Sequence, residues 1–159
     1  MVANRVFGLE SVALRYFNVF GEHQDPLSGY AAVIPKFIRI MLDAERPTIF
    51  GDGETSRDFT HVENVVAANL LAATAPGADG RVLNIATGGS ETVNALAETI
   101  GRLLDRPVER TFGPAQPGDV RESWADVTAA REAIGYEMTV SFEDGLQRTI
   151  EAMSSPEGA

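Results

Sequence analysis

The stretch Gly51-Asp52-Gly53-Glu54-Thr55-Ser56-Arg57-Asp58-Phe59-Thr60-His61-Val62 constrains this chain more than any other. Two glycines in three positions permit positive φ and a tight reversal, and the polar Glu-Thr-Ser run has nothing to bury, so the segment reads as a surface loop. Arg57 and Asp58 stand where that loop ends. Thr60 and Glu63 have the spacing of a capping box ahead of the apolar run from Val62, which places a helix start just after the Arg-Asp pair. A guanidinium held there faces whatever docks in the loop. The plain structural reading is that Arg57 and Asp58 pair with each other at the helix entrance.

Around this loop, strand-like and helix-like patterns alternate. Residues 1–10 read as the tail of a helix capped near Gly8. Ser11 to Val19 follows with the apolar core Val12-Ala13-Leu14, which predicts a strand buried on both faces. Gly21 to Gly29, with Asp25-Pro26 and Ser28-Gly29, is a loop. Val33, Ile34, Phe37, Ile38, Met41 and Leu42 have helical spacing within Ala32 to Ala44, with Pro35 in the first turn. Thr48-Ile49-Phe50 is a brief strand.

The next helix, Val62 to about Ala75, is expected to bury Val62, Val65, Val66, Asn69, Leu70 and Ala73, and to stop at Pro76-Gly77. Val82 to Ala86 is a second buried-strand candidate. Thr92 or Ser90 opens a helix with Val93, Leu96, Ile100, Leu103 and Leu104 inward, and Val108 to Phe112 fits a strand. Pro114 to Asp119 is a loop. Asp126 caps a helix to Ile134, Ser141 and Asp144 form a capping box for a last helix reaching Met153, and residues 154–159 are expected to be a disordered tail. Strands alternating with helices in this way mean an α/β fold. Two or three short strands of this kind are few to satisfy one another's edges as a full sheet.

Composition narrows the function classes. A net charge of −10 repels a polyanionic backbone, so no nucleic-acid partner is expected, although a small anion remains possible where arginines converge. With no cysteine and two histidines, His23 and His61, no metal site is expected. No apolar run approaches the roughly 20 residues of a membrane span, so the expectation is a cytoplasmic protein without a membrane partner.

Several polar groups are candidates to act together: Asn18 at a strand end, Lys36, the Thr48-Phe50 strand, Arg57 and Arg121. Strand ends are where ligands gather in open α/β sheets, and a planar guanidinium suits diphosphate oxygens. The bland alternatives stand beside these. Lys36 fits a solvated helix face, and Phe37 and Phe50 fit a core as readily as a base platform. Arg15 reads as a structural partner, His61 as a support for the helix start, and Trp124 as packing.

Five motifs then occur in order: Leu14-Arg15-Tyr16-Phe17-Asn18-Val19-Phe20-Gly21; Tyr30-Ala31-Ala32-Val33-Ile34-Pro35-Lys36-Phe37; Gly51-Asp52-Gly53 with Ser56-Arg57-Asp58-Phe59-Thr60-His61-Val62; Leu83-Asn84-Ile85 with Gly88; and Gly118-Asp119-Val120-Arg121. In this order they resemble the NAD-dependent nucleotide-sugar epimerases and dehydratases of the extended short-chain dehydrogenase/reductase class, closest to the bacterial UDP-glucose and UDP-N-acetylglucosamine 4-epimerases. The resemblance implies the C-terminal part of a Rossmann-type sheet plus the small α/β substrate-binding domain, in one unit over residues 1–153. It implies that Asn18, Arg57 and Arg121 contact the diphosphate, that Ala32, Val33, Lys36 and Phe37 lie beside the nucleotide, and that Thr48, Ile49 and Phe50 run along the uracil. Tyr16 and Phe17 would approach the nicotinamide of NAD.

The departures from that pattern also carry expectations. Neither a glycine-rich dinucleotide fingerprint nor a Tyr-x-x-x-Lys pair occurs in these 159 residues, so no catalytic residue is assigned and the NAD-binding domain is expected to be absent. Glu22-His23 stands where relatives commonly have proline and arginine, and Gln116 where some have arginine. The expected function is the substrate-binding part of a UDP-sugar 4-epimerase, inactive alone and partnered by an N-terminal half or another copy. The alternatives are a non-catalytic UDP-binding module, a remnant acting only by association, or part of a 4,6-dehydratase.

Overall fold

The computed structural model describes residues 2–26 and 32–155. Ser28, Gly29, Tyr30 and Ala31 of the expected loop and motif, and residues 156–159 of the expected tail, lie outside the described residues. In chain order the elements are helix α1 (Val2–Phe7), strands β1 (Ala13–Tyr16) and β2 (Val19–Phe20), helix α2 (Val33–Leu42), and strands β3 (Thr48–Phe50), β4 (Ser56–Arg57) and β5 (Thr60–His61). Helix α3 (Val62–Thr74), strands β6 (Val82–Ile85) and β7 (Glu91–Thr92), helix α4 (Val93–Leu103), strands β8 (Thr111–Gly113) and β9 (Glu122–Ser123), and helices α5 (Thr128–Ile134) and α6 (Phe142–Ser154) complete the chain.

Local chemistry sets most of the helix ends. Thr92 Oγ1 accepts the Ala95 N–H at 3.0 Å to start α4, and Ser141 Oγ accepts the Asp144 N–H at 3.1 Å to start α6. Asp126 Oδ1 accepts the Thr128 N–H at 2.8 Å, and α5 ends at Gly135, where φ of 67° suits a residue without Cβ. Helix α3 departs from expectation. His61, not Thr60, is its N-cap, its Nδ1 accepting the Glu63 N–H at 3.4 Å. Thr60 is held in β5 by pairing with Val19, and its buried hydroxyl has no hydrogen bond among the described residues.

The sheet is divided into short pieces. β1 runs parallel to β6, β2 to β5 and β3 to β8, while β4 lies between β7, antiparallel, and β9, parallel. The strand expected from Ser11 to Val19 breaks at Asn18, whose φ is 29°, and becomes β1 and β2 in separate sheets. β1 is not buried on both faces: its pairing is with β6 on one edge, and Arg15 and Tyr16 are exposed.

Two clusters of apolar side chains hold these pieces. One joins α2, α4 and α6 through Ile34, Phe37, Ile38, Leu96, Ile100, Leu146 and Ile150, with Phe20 and Ile49 from the strands and Phe59 from between β4 and β5. The other joins α3, β6 and α5 through Val65, Ala68, Leu83, Ile85, Ala130, Ile134 and Tyr136. The buried face of α3 is narrower than its apolar spacing implied. It uses Asn64, Val65, Ala68 and Ala72, while Val66 and Leu70 are 53% and 68% exposed. Asn64 is buried because its amide pairs with Val140 O, and its carbonyl accepts the N–H groups of Thr139 and Val140. No described helix is long and apolar enough to cross a membrane.

Candidate functional site

The Gly51-Gly53 loop positions the site. Both glycines have φ of 77°, and a Cβ on Gly53 would lie 2.3 Å from Asn94 Oδ1, so the reversal needs glycine there. Asp52 Oδ1 accepts the Glu54 N–H at 3.0 Å, and Asn94 Nδ2 donates to Asp52 O at 3.0 Å and Glu54 Oε1 at 2.7 Å. The loop is thereby tied to the first turn of α4. It delivers Arg57 into β4, opposite Glu91 on β7 and Ser123 on β9.

Arg57 is fixed by three acceptors. Its Nη1 donates to Ser56 O at 2.7 Å and Val120 O at 2.6 Å, and its Nη2 donates to the Asp119 carboxylate. Asp58 points elsewhere. Its carboxylate is fully buried and accepts Thr87 N–H at 2.9 Å, Thr87 Oγ1–H at 2.6 Å, Gly88 N–H at 3.0 Å and Ala125 N–H at 3.3 Å. The expected Arg57-Asp58 pair does not form. Arg57 ends β4 and Asp58 follows it, its N–H still on Ser123 O, and successive side chains of such an extended chain point to opposite faces, which separates the two charges.

A cleft of about 740 Å³ opens beside Arg57, within the size range of small-ligand sites. Asn18, Ala32, Val33, Lys36, Phe37, Thr48, Ile49, Phe50 and Arg57 all line it. These come from the β1-β2 break, the first turns of α2, strand β3 and strand β4, so four elements distant in sequence converge. Lys36 and Phe50 are exposed, whereas Phe37 and Ile49 are buried in the core behind the cleft wall. The ammonium of Lys36 has no partner among the described residues, which leaves it available to an anion.

Arg121 is not brought to the cleft. It is 67% exposed and pairs with Asp52 at 3.2 Å on the outer side of the loop. The Glu54 N–H, and after it Arg121, hold the Asp52 carboxyl below the ordinary aspartate range. Tyr16 and Phe17 also stand apart. The Tyr16 hydroxyl donates to Asn69 Oδ1 at 3.1 Å, and Phe17 packs against the second apolar cluster. Arg15 donates to Asn84 Oδ1 at 3.3 Å, as a structural partner would. Trp124, expected in packing, is 59% exposed.

Among the charged and polar lining residues, Glu45 and Arg46, which precede β3, were not expected at the site, and Gln116 and Asp119, in the Pro114 to Asp119 loop, were noted in the sequence without being assigned to it. The pairing of Ser56 with Glu122 carries that loop to the cleft, and spacing along the chain holds no signal for such a contact. With Asp119 and Glu45 against Lys36, Arg46 and Arg57, the cleft lining is one unit positive in a chain of net charge −10. Opposite-charge focusing of this kind suits a small anion. No three His, Asp or Glu side chains among the described residues converge to hold a metal ion.

Comparison with known proteins gives consistent matches. A family model described as the NAD dependent epimerase/dehydratase family matches residues 2–86. A putative UDP-glucose 4-epimerase of Methanocaldococcus jannaschii is 36% identical over 152 residues, covering 96% of this chain and 48% of the relative. The crystal structure of a UDP-glucose 4-epimerase of Thermotoga maritima with UDP-glucose superposes with a TM-score of 0.89 at 43% identity, covering 94% of this chain and 48% of that one. A UDP-N-acetylglucosamine 4-epimerase of Methanobrevibacter ruminantium, in complex with UDP-N-acetylmuramic acid, has a TM-score of 0.89 at 41% identity over 96% of this chain and 48% of its own. The chain thus spans about half the length of the relatives it matches, and its α/β fold with mainly parallel strands is that of the Rossmann-like epimerases.

Proposed function

We propose a function from one premise: the chain belongs to the NAD dependent epimerase/dehydratase family, and within it these residues hold the substrate of a UDP-sugar 4-epimerase. The observation that carries this reading is the convergence of Asn18, Ala32, Val33, Lys36, Phe37, Thr48, Ile49, Phe50 and Arg57 on one cleft. Uracil lies along β3, where the exposed ring of Phe50 offers a flat apolar surface. The diphosphate meets Asn18 and Arg57. Because Ser56 O, Val120 O and Asp119 already orient the guanidinium, little side-chain entropy is lost when phosphate arrives.

These residues are assigned binding rather than the chemical step. In such enzymes NAD accepts a hydride from the sugar and returns it, and a Tyr-x-x-x-Lys pair handles the hydroxyl proton; no such pair occurs in this sequence. Tyr16 and Phe17, expected to approach the nicotinamide, stand away from this cleft: the Tyr16 hydroxyl donates to Asn69, and the Phe17 ring is partly buried against the second apolar cluster. We assign residues 1–153 to one substrate-binding unit of the cytoplasm, whose apolar Val66 and Leu70 meet an NAD-binding half or a second copy.

Backbone amide shifts of the labelled chain during addition of UDP test the reading. Perturbations concentrated at Asn18, Ala32, Val33, residues 48–50 and Arg57 are expected. Shifts scattered over the surface, or none at millimolar UDP, would contradict it.

A further inference from the structure

Beside the cleft, the imidazole of His61 is fully buried and its Nε2 has no aligned hydrogen-bond partner among the described residues. Its Nδ1 accepts the Glu63 N–H, so in the neutral ring the proton sits on Nε2. A buried N–H without an acceptor is costly. The acceptor in reach is Glu22 Oε1, at 3.3 Å and off the line of a good hydrogen bond. The ring cannot turn away: it meets the edge of Phe20 at 5.4 Å, and helix α6 comes so close at Gly145 that a Cβ there would lie 2.8 Å from His61 Cδ2. Glu63, whose N–H the ring accepts, has its own carboxylate bound by Arg148 of α6 at 2.7 Å.

We infer that Glu22 is a positioning residue, its carboxylate accepting the buried Nε2–H of His61 and so locking strand β2 against β5 at the cleft wall. Glu22 is separated from the end of β2 only by Gly21, and Phe20 and His61 are cross-strand partners. The segment after β2 folds back on the strand, since Gln24 Nε2 donates to Val19 O at 3.1 Å and Gly21 abuts Val62. Asn18, Val19 and Phe20, the residues locked in this way, all line the cleft. Asn18 depends on the same pair of strands, because its carbonyl accepts the Thr60 N–H at 3.3 Å and its φ of 29° needs support from its surroundings. Relaxing the pair would move Asn18 without touching any ligand.

The affinity arm of the test rests on the UDP reading of the cleft; the spectroscopic arm does not. Side-chain 15N spectra of the full chain, with His23→Ala to assign the two histidines, are expected to show His61 protonated at Nε2. Glu22→Ala is expected to shift the amides of Asn18 and Phe20 and to weaken UDP binding by about threefold to tenfold, the factor of one net hydrogen bond. Glu22→Gln keeps an acceptor oxygen and is expected to restore both within about twofold. A His61 protonated at Nδ1, unmoved Asn18 and Phe20 amides in Glu22→Ala, or no rescue by Glu22→Gln would each overturn the inference. If the wild-type chain binds no UDP, the nucleotide reading falls, and the tautomer and the amide shifts still decide the role of Glu22.

Discussion

Arg57 and Asp58 are neighbours in sequence and serve opposite ends of the same strand region: the guanidinium reaches the Asp119 carboxylate at the cleft, while the carboxylate is fully buried among the N–H groups of Thr87, Gly88 and Ala125. One residue faces the cleft and the other ties separate loops together. Their substitutions are therefore expected to separate cleanly into binding and stability effects.

Asp58→Ala leaves three backbone donors without their acceptor in a buried place. Unfolding in urea is expected to show a loss of about 3 kcal/mol, in the range for removing a charged acceptor from buried donors. A loss below about 1 kcal/mol would mean that water reaches these groups.

Tyr136 donates its hydroxyl proton to Ala86 O at 2.9 Å, and burial, reinforced by the charge of Asp58, pushes its pKa up to about 12. The folded value lies above the unfolded value of 10.0, so this contribution is complete below pH 10 and is lost as pH rises through about 12. Phenolate absorbance is expected to rise in two phases, with the late one missing in Tyr136→Phe.

Arg102 binds Glu143 at 2.8 Å and holds its carboxyl below the ordinary glutamate range. A lowered folded pKa contributes stability above the unfolded value of 4.5 and loses it as pH falls through the folded one. The difference in melting temperature between wild type and Glu143→Gln is therefore expected at neutral pH, small because the pair is exposed, and to vanish in strong acid. A difference that grows on acidification would reverse the assigned sign.

Gly53→Ala places a methyl group against the Asn94 amide in a backbone conformation that L residues avoid. A loss of about 2 kcal/mol in urea unfolding is expected, from strain and overpacking together. Asn94→Gly in the same background removes the clash and is expected to recover part of it.

The α/β class and most helix spans were legible because apolar periodicity and capping residues are local signals. Helices α4 and α6 begin where Thr92 and Ser141 predicted. The face of α3 was not legible, since Val66 and Leu70 have the right spacing but no core opposite them among the described residues, while the polar Asn64 is buried by contacts made across the fold. At the site, the resemblance supplied the residues that line the cleft. The resemblance put Arg121 at the diphosphate, whereas the structure pairs it with Asp52 outside the cleft, and a local turn gives no sign of which side of a loop a side chain takes. Asp119 and Arg46 reach the cleft through strand register and the β3 entry, which a single chain does not reveal.

The central claim is that one arginine of the two expected grips the diphosphate. Calorimetric titration of UDP into the wild-type chain, Arg57→Ala and Arg121→Ala tests it directly. Binding that weakens at least about tenfold in Arg57→Ala, as loss of a charged hydrogen-bond donor implies, and stays within about twofold in Arg121→Ala is the predicted result. Equal losses in both variants, or wild-type affinity in Arg57→Ala, would contradict the account.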